Sequence, residues 1–205
     1  VLILGPLLSR FGYSKISLPG GCAIGTRPID IHLMGLTQLG ANFKVENGFV
    51  IGKVKNRLIG NRIRLPFPSV GATENILMAS VLAKGETIIE QAAKEPEIED
   101  LGNCLLSMGA KIRGHGTNKI CIQGVDELHE AKHHIISDRI VAGTYILLAI
   151  MLNCKFEVKN FNPNHLKSLV KILRKMDCKI EVLNNSIKIY PSKKIKSINV
   201  STAPY

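Results

Sequence analysis

The sequence predicts an α/β protein with mixed sheets, built from a repeated unit. A pattern of apolar helix, β-branched strand, second helix and hairpin occurs three times, at a period of about seventy residues. The second helix closes in closely similar words each time: Leu39-Gly40-Ala41, Met108-Gly109-Ala110 and Met176-Asp177-Cys178. Glycine after the last apolar residue signals a helix C-cap, because it tolerates the left-handed backbone that ends a helix. Two β-branched runs around a turn then close every repeat, which is the signature of a hairpin.

The first helices are predicted at Leu2 to Phe11 with Gly12, Glu74 to Ala83 with Gly85, and Arg139 to Leu152 with Asn153. Strands follow at Lys15 to Leu18, Thr87 to Gln91 and Lys155 to Lys159. The second helices are Pro28 to Leu39, Ile98 to Met108 and His165 to Met176. The hairpins pair Phe43 to Val45 with Phe49 to Val54, Lys111 to Arg113 with Lys119 to Ile122, and Lys179 to Leu183 with Ser186 to Tyr190. A helical crossover before each hairpin predicts one parallel strand pair per repeat. Tyr145 to Leu152 is apolar nearly all round and predicts a helix buried on every side. Three such units, helices inside and sheets outside, predict a compact pseudo-symmetric arrangement.

Hydrophobic content of 45% and 21% charged residues are ordinary for a globular chain. No apolar run reaches membrane-spanning length, so no membrane partner is expected. The five cysteines lie apart, without C-x-x-C spacing, and predict reduced thiols and no metal site. His133-His134 lacks partners at ligand spacing and reads as a solvated loop. Net charge is +11, with 12 Lys/Arg against 4 Asp/Glu in residues 137–205. Lys167, Lys171 and Lys175 recur opposite Leu166, Leu169, Val170 and Leu173, the pattern of a solvated helix face. With aromatic residues thinly scattered there is no base-stacking platform, and no nucleic-acid partner is expected. The chain opens on apolar Val1-Leu2-Ile3-Leu4 without a basic flank and closes at Tyr205. It reads as an internal piece of a longer protein, not as a chain with a signal peptide.

The most informative stretch for chemistry is Leu18-Pro19-Gly20-Gly21-Cys22-Ala23-Ile24-Gly25-Thr26-Arg27-Pro28. Glycines allow close approach to a ligand, while Arg27 and loop N–H groups are expected to lower the Cys22 pKa and hold an anion. A tight turn around a buried, inert cysteine reads equally from these residues.

This loop and the repeat together resemble the enolpyruvyl transferase family, in its sugar-nucleotide branch. Further blocks carry the resemblance: Phe67-Pro68-Ser69-Val70-Gly71-Ala72-Thr73-Glu74-Asn75, Ala92-Ala93-Lys94-Glu95-Pro96-Glu97-Ile98, Asp138-Arg139-Ile140 with Ala142-Gly143-Thr144, and Thr202 to Tyr205. It implies an inside-out α/β barrel of βαβαββ-type units in two domains, here in part. Residues 1–136 would belong to the cysteine-loop domain and residues 137–205 to the second. The implied reaction moves the enolpyruvyl group of phosphoenolpyruvate to the 3-hydroxyl of UDP-N-acetylglucosamine and releases phosphate. This is the first committed step of peptidoglycan synthesis in the bacterial cytoplasm, and it uses no cofactor.

By the same resemblance, Cys22 protonates C3 of phosphoenolpyruvate and can form a covalent adduct, and Arg27 holds phosphate or carboxylate oxygens. Arg27, Pro28, Ile29, Asp30 and Ile31 contact the sugar nucleotide, as do Phe67, Pro68, Ser69 and Val70. Ser69 serves equally as a plain helix N-cap. Glu95, Glu97, Asp138 and Arg139 match residues at the interdomain cleft, or form exposed salt-bridging loops. His32 reads as a hydrogen-bonded helix histidine. Ser137, Val141 and Asp177 depart from the family pattern. The family's lysine–asparagine pair would precede Val1 and its catalytic aspartate would follow Tyr205, so this chain alone is expected to be inactive. Alternatives are the sister synthase acting on shikimate 3-phosphate, which the Gly20-Gly21-Cys22 loop opposes, and a non-catalytic sugar-nucleotide-binding relative.

Overall fold

The structure, a computed structural model, describes residues 1–20 and 28–205. The chain forms two compact units, Val1–His133 with Pro204–Tyr205, and His134–Ala203. In the first, α1 (Leu4–Phe11), β1 (Tyr13–Ser17), α2 (Asp30–Gln38), β2 (Asn42–Glu46) and β3 (Phe49–Lys53) make one repeat. The next comprises β4 (Arg62–Arg64), α3 (Val70–Ser80), β5 (Glu86–Glu90), α4 (Pro96–Ser107), β6 (Lys111–Arg113) and β7 (Lys119–Gln123). The second unit holds α5 (Arg139–Met151), β8 (Phe156–Lys159), a 3-10 turn Pro163–Leu166, α6 (Lys167–Lys175), β9 (Lys179–Val182) and β10 (Ser186–Tyr190).

The helix ends follow local chemistry. Gly40 and Gly109 adopt φ of +97° and +95° after α2 and α4, and Asp177 takes φ +64° at the matching place after α6. Asp therefore supplies the left-handed residue where the repeat otherwise uses glycine, a conformation its short polar side chain tolerates. Asn153, at φ +49°, does for α5 what Gly12, at +67°, does for α1. Helix α3 starts at Val70, four residues earlier than Glu74, because Ser69 caps it. Its Oγ accepts from Ala72 N–H at 3.4 Å, and the Thr73 hydroxyl donates to its carbonyl at 2.7 Å.

The sheets correct the expected pairing. Among the described residues, β4 and β5 are the one parallel neighbour pair, in a sheet ordered β4-β5-β7-β6. In every repeat, this one included, the second hairpin strand inserts between the first strand and its expected parallel partner. The other orders are β1-β3-β2 and β8-β10-β9, antiparallel throughout. Strand β4, Arg-Ile-Arg, was not anticipated: it lacks the turn and partner run that mark the equally short β6 as a hairpin strand. It completes a βαβαββ unit.

One apolar core fills the first unit, with Ile76, Leu77 and Ala79 of α3 fully buried beside Leu4, Leu8, Leu36 and Ile63. Each fully buried Leu or Ile is worth roughly 1.5–3 kcal/mol over leaving it in water. The second unit has its own core of Ala142, Ile146, Ala149, Val170, Leu173, Ile187 and Ile189. The expectation that α5 is buried on every side is overturned. Tyr145, Leu147 and Leu148 are about half exposed, and Met151 is 81% exposed. One face of α5 packs on β8 and β10; the opposite face has no apolar cover among the described residues. No helix of the described residues is long and apolar enough to cross a membrane.

Candidate active site at the helix starts of the first unit

Helices α2, α3 and α4 begin close together, and with them come most of the residues singled out in the sequence. Cys22 and Arg27 lie outside the described residues. Pro28 and Ile29 lead directly into α2, whose first turn holds Asp30 and Ile31. Phe67 and Pro68 precede the Ser69 cap, and Val70 opens α3. Phe67 is 56% exposed, so this approach faces solvent. As the first residues of α3, Val70 and Gly71 present backbone N–H groups that helices leave unsatisfied, with the positive end of the helix dipole behind them.

His32 ties α2 to α3. Its Nδ1 lies 3.1 Å from Asn75 Nδ2, and a Cβ added to Gly71 would stand 3.2 Å from its Cε1 and 3.5 Å from its Nε2. Glycine at position 71 lets the imidazole lie against the start of α3 without the tight contact a Cβ would make. Burial is the main reason the His32 pKa falls below 6.5, and Asp30 opposes it. Asn75 itself is fully buried.

Thr73 joins this group to the Ala92–Ile98 block, since its Oγ1 accepts from Ala93 N–H at 3.1 Å. Glu95, immediately before α4, is 8% exposed, which excludes the exposed-loop reading for it. Its Oε2 is buried with no hydrogen-bond partner among the described residues. Glu97 lies in the first turn of α4. Glu74 is half-buried, and burial, then Glu97, then Glu95, push its pKa up. Asp138 and Arg139 belong to the second unit, where Asp138 caps α5 by accepting from Ile140 and Val141 N–H at 2.7 and 2.9 Å.

Sequence reasoning passed over Thr73, Glu74 and Asn75 as bearers of any role. They stood inside a quoted block, but a buried Asn bridging two helices leaves no local signal. His133 also departs from expectation: its Nε2 lies 2.9 Å from Asp100 Oδ1, both half-buried or better, so it is not in a solvated loop. Among the described residues no group of three His, Cys, Asp or Glu is placed to hold a metal ion.

Known proteins resemble this chain in sequence and in fold. The chain is 48% identical over 205 residues to UDP-N-acetylglucosamine 1-carboxyvinyltransferase of Granulibacter bethesdensis, covering all of this chain and 49% of that protein. It is 48% identical over 204 residues to UDP-N-acetylglucosamine 1-carboxyvinyltransferase 1 of Halalkalibacterium halodurans, covering 46% of it. The chain thus spans about half the length of the curated relatives it matches. Among solved structures it resembles the enolpyruvyl transferase NikO from Streptomyces tendae, with a TM-score of 0.80 at 22% identity, over 94% of this chain and 47% of that one. EPSP synthase from Acinetobacter baumannii superposes with a TM-score of 0.68 at 22% identity, over 98% of this chain and 47% of that one. Those two likenesses concern the fold. The family model for EPSP synthase (3-phosphoshikimate 1-carboxyvinyltransferase) matches residues 1–205, and the chain belongs to this family of enolpyruvyl transferases.

Proposed function

We propose that the chain forms part of a UDP-N-acetylglucosamine 1-carboxyvinyltransferase that builds the bacterial cell wall in the cytoplasm and so serves growth and division. The carrying observation is the 48% identity to such proteins along the entire chain, against 22% to EPSP synthase structures. In this reading residues 1–136 belong to the cysteine-loop domain and residues 137–205 to the second domain.

The first turn of α3 then receives the diphosphate of the sugar nucleotide through backbone N–H groups and the Ser69 hydroxyl. Residues Pro28 to Ile31 contact the nucleotide from α2, and Arg27 holds phosphoenolpyruvate oxygens through a bidentate fork. Cys22 delivers a proton to C3 of phosphoenolpyruvate while the sugar 3-hydroxyl oxygen bonds to C2. The hydroxyl proton passes to a carboxylate that the family resemblance places outside residues 1–205. Breaking the C2–O bond to phosphate and returning the C3 proton gives the enol ether and free phosphate. Glu95 and Glu97 line the approach to this site, with Asp138 and Arg139 at the domain crossing.

The test uses a polypeptide of the relatives' full length. Phosphate release from phosphoenolpyruvate should require UDP-N-acetylglucosamine and ignore shikimate 3-phosphate. Cys22→Ala should lower the rate by roughly 10²–10⁴, the usual worth of general acid catalysis. Cys22→Asp should keep substantial turnover, because a carboxyl can donate the proton, and should lose the covalent adduct. Release driven by shikimate 3-phosphate would move the chain to the sister synthase. Sugar-nucleotide binding without any release would make it a non-catalytic relative.

A further inference from the structure

We propose that a groove along α6 in the second unit is a docking site for an acidic, aliphatic peptide segment of a partner protein. The groove, about 530 Å³, is lined by Lys167, Lys171, Arg174 and Lys175 around Val170 and Val182, with Pro163 and Asn164 at one end. Val182 is 39% exposed on edge strand β9. None of the four cations has an ion-pair partner among the described residues.

The repeat supplies an internal control. Helices α2 and α4 occupy the place of α6 in their own repeats, and neither contains Lys or Arg. Helix α4 carries Glu97 and Glu99 in its first turn instead. The scaffold therefore folds without these cations. Lys167, Lys171 and Lys175 repel one another at four-residue spacing and Lys167 meets the positive end of the helix, while Arg174 and Lys175 sit favourably at its C-terminal end. No acidic residue in the helix compensates. A cost borne by one repeat alone is consistent with an anionic partner that offsets it.

Shape and lining select among anions. The apolar floor suits an aliphatic side chain set between carboxylates. No aromatic ring lines the groove to stack a nucleobase. The apolar face of α6 is turned into the unit, with Leu173 only 2% exposed, so it is not available to insert into a lipid surface.

The probe is a fluorescein-labelled peptide of alternating Glu and Leu, titrated with the full chain and read by fluorescence anisotropy. The wild-type chain should bind it, and added salt should weaken binding. Lys171→Glu with Arg174→Glu should weaken it by roughly tenfold or more. Lys53→Glu with Lys55→Glu, an equal change of net charge on exposed residues elsewhere, should leave it within about twofold. Circular dichroism establishes that both variants are folded. No binding by the wild-type chain overturns the proposal, as does equal weakening by the two variants. So does tighter groove-dependent binding of a single-stranded oligonucleotide or of anionic phospholipid vesicles.

Discussion

Asn75 donates from Nδ2 to His32 Nδ1 across 3.1 Å, and its Oδ1 accepts from Gly5 N–H at 2.6 Å. The Gly5 bond decides which end of the amide faces the imidazole, since only the oxygen can accept it. His32 Nδ1 is therefore the acceptor and Nε2 carries the proton in the neutral ring. One buried side chain thereby joins α1, α2 and α3, and a third bond from Nδ2 to the Val1 carbonyl, at 3.1 Å, holds the chain ahead of α1.

Asn75→Ala should cost about 1–3 kcal/mol in urea unfolding, because the Gly5 N–H would be left buried without a partner. Asn75→Asp should recover the Gly5 bond, lose the donor to the Val1 carbonyl and reverse the bond with His32, which would then donate from Nδ1. A cost below a few tenths of a kcal/mol for the alanine variant would show that this junction does not hold the helices.

Two half-buried groups near the site should make stability depend on pH in opposite directions. His32 titrates below 6.5, so the unfolded chain binds its proton first. The stability it contributes is present above 6.5 and declines as pH falls from there towards its folded pKa. Glu74 titrates above 4.5, mainly through burial and secondarily through Glu97 and Glu95, so the unfolded chain loses its proton first. Its contribution is present below 4.5 and declines as pH rises towards its folded pKa. Glu74→Gln should raise the unfolding midpoint at neutral pH and do so less at pH near 4. Unchanged midpoints at both would mean that the carboxyl is well solvated.

Gly35→Ala should be strongly destabilising, since its Cβ would fall 2.2 Å from Ile76 Cδ1 and 2.7 Å from Ile76 Cγ1. Overpacking of this kind costs typically 1–3 kcal/mol. The clash is with the tip of one side chain, so in an Ile76→Ala background the same substitution should cost far less. Additive costs in that double-mutant cycle would place the strain elsewhere.

Thiol reactivity should rank Cys22 first and Cys178 last. Cys178 is buried, and burial, reinforced by Asp177, pushes its thiol pKa up. Cys104, Cys121 and Cys154 are intermediate in exposure. Limited alkylation near neutral pH with mass-spectrometric mapping gives the order. Labelling of Cys104 ahead of Cys22 would count against a reactive loop thiol.

The uncovered face of α5 should make the chain bind a hydrophobic dye and self-associate, as large apolar patches do. Leu148→Lys with Met151→Lys should reduce both without changing the circular dichroism, because Leu148 is 45% and Met151 81% exposed. Loss of the helical signal would show that those side chains pack within the unit.

Local chemistry in the sequence was sufficient for the repeat, its helices and its turns. Apolar spacing places α1, α4 and α6 to within about two residues or one turn, and Asn47-Gly48 and Asn184-Asn185 mark two hairpin turns. Resemblance in five blocks was sufficient for the family. Neighbour relations were left to the tertiary structure. Whether β1 sits beside β2 or beside β3 depends on non-local hydrogen bonds that leave the same alternating pattern either way, and β4 lacks the turn and partner run that mark a hairpin strand. The fully apolar segment of α5 reads as buried whichever neighbours it has, because composition records a preference and exposure depends on what covers it. The same holds at the site: the sequence names His32 and Asn75 as residues 43 positions apart, only the packing of α2 on α3 joins them, and only the Gly5 N–H of α1 orients the amide that sets the tautomer.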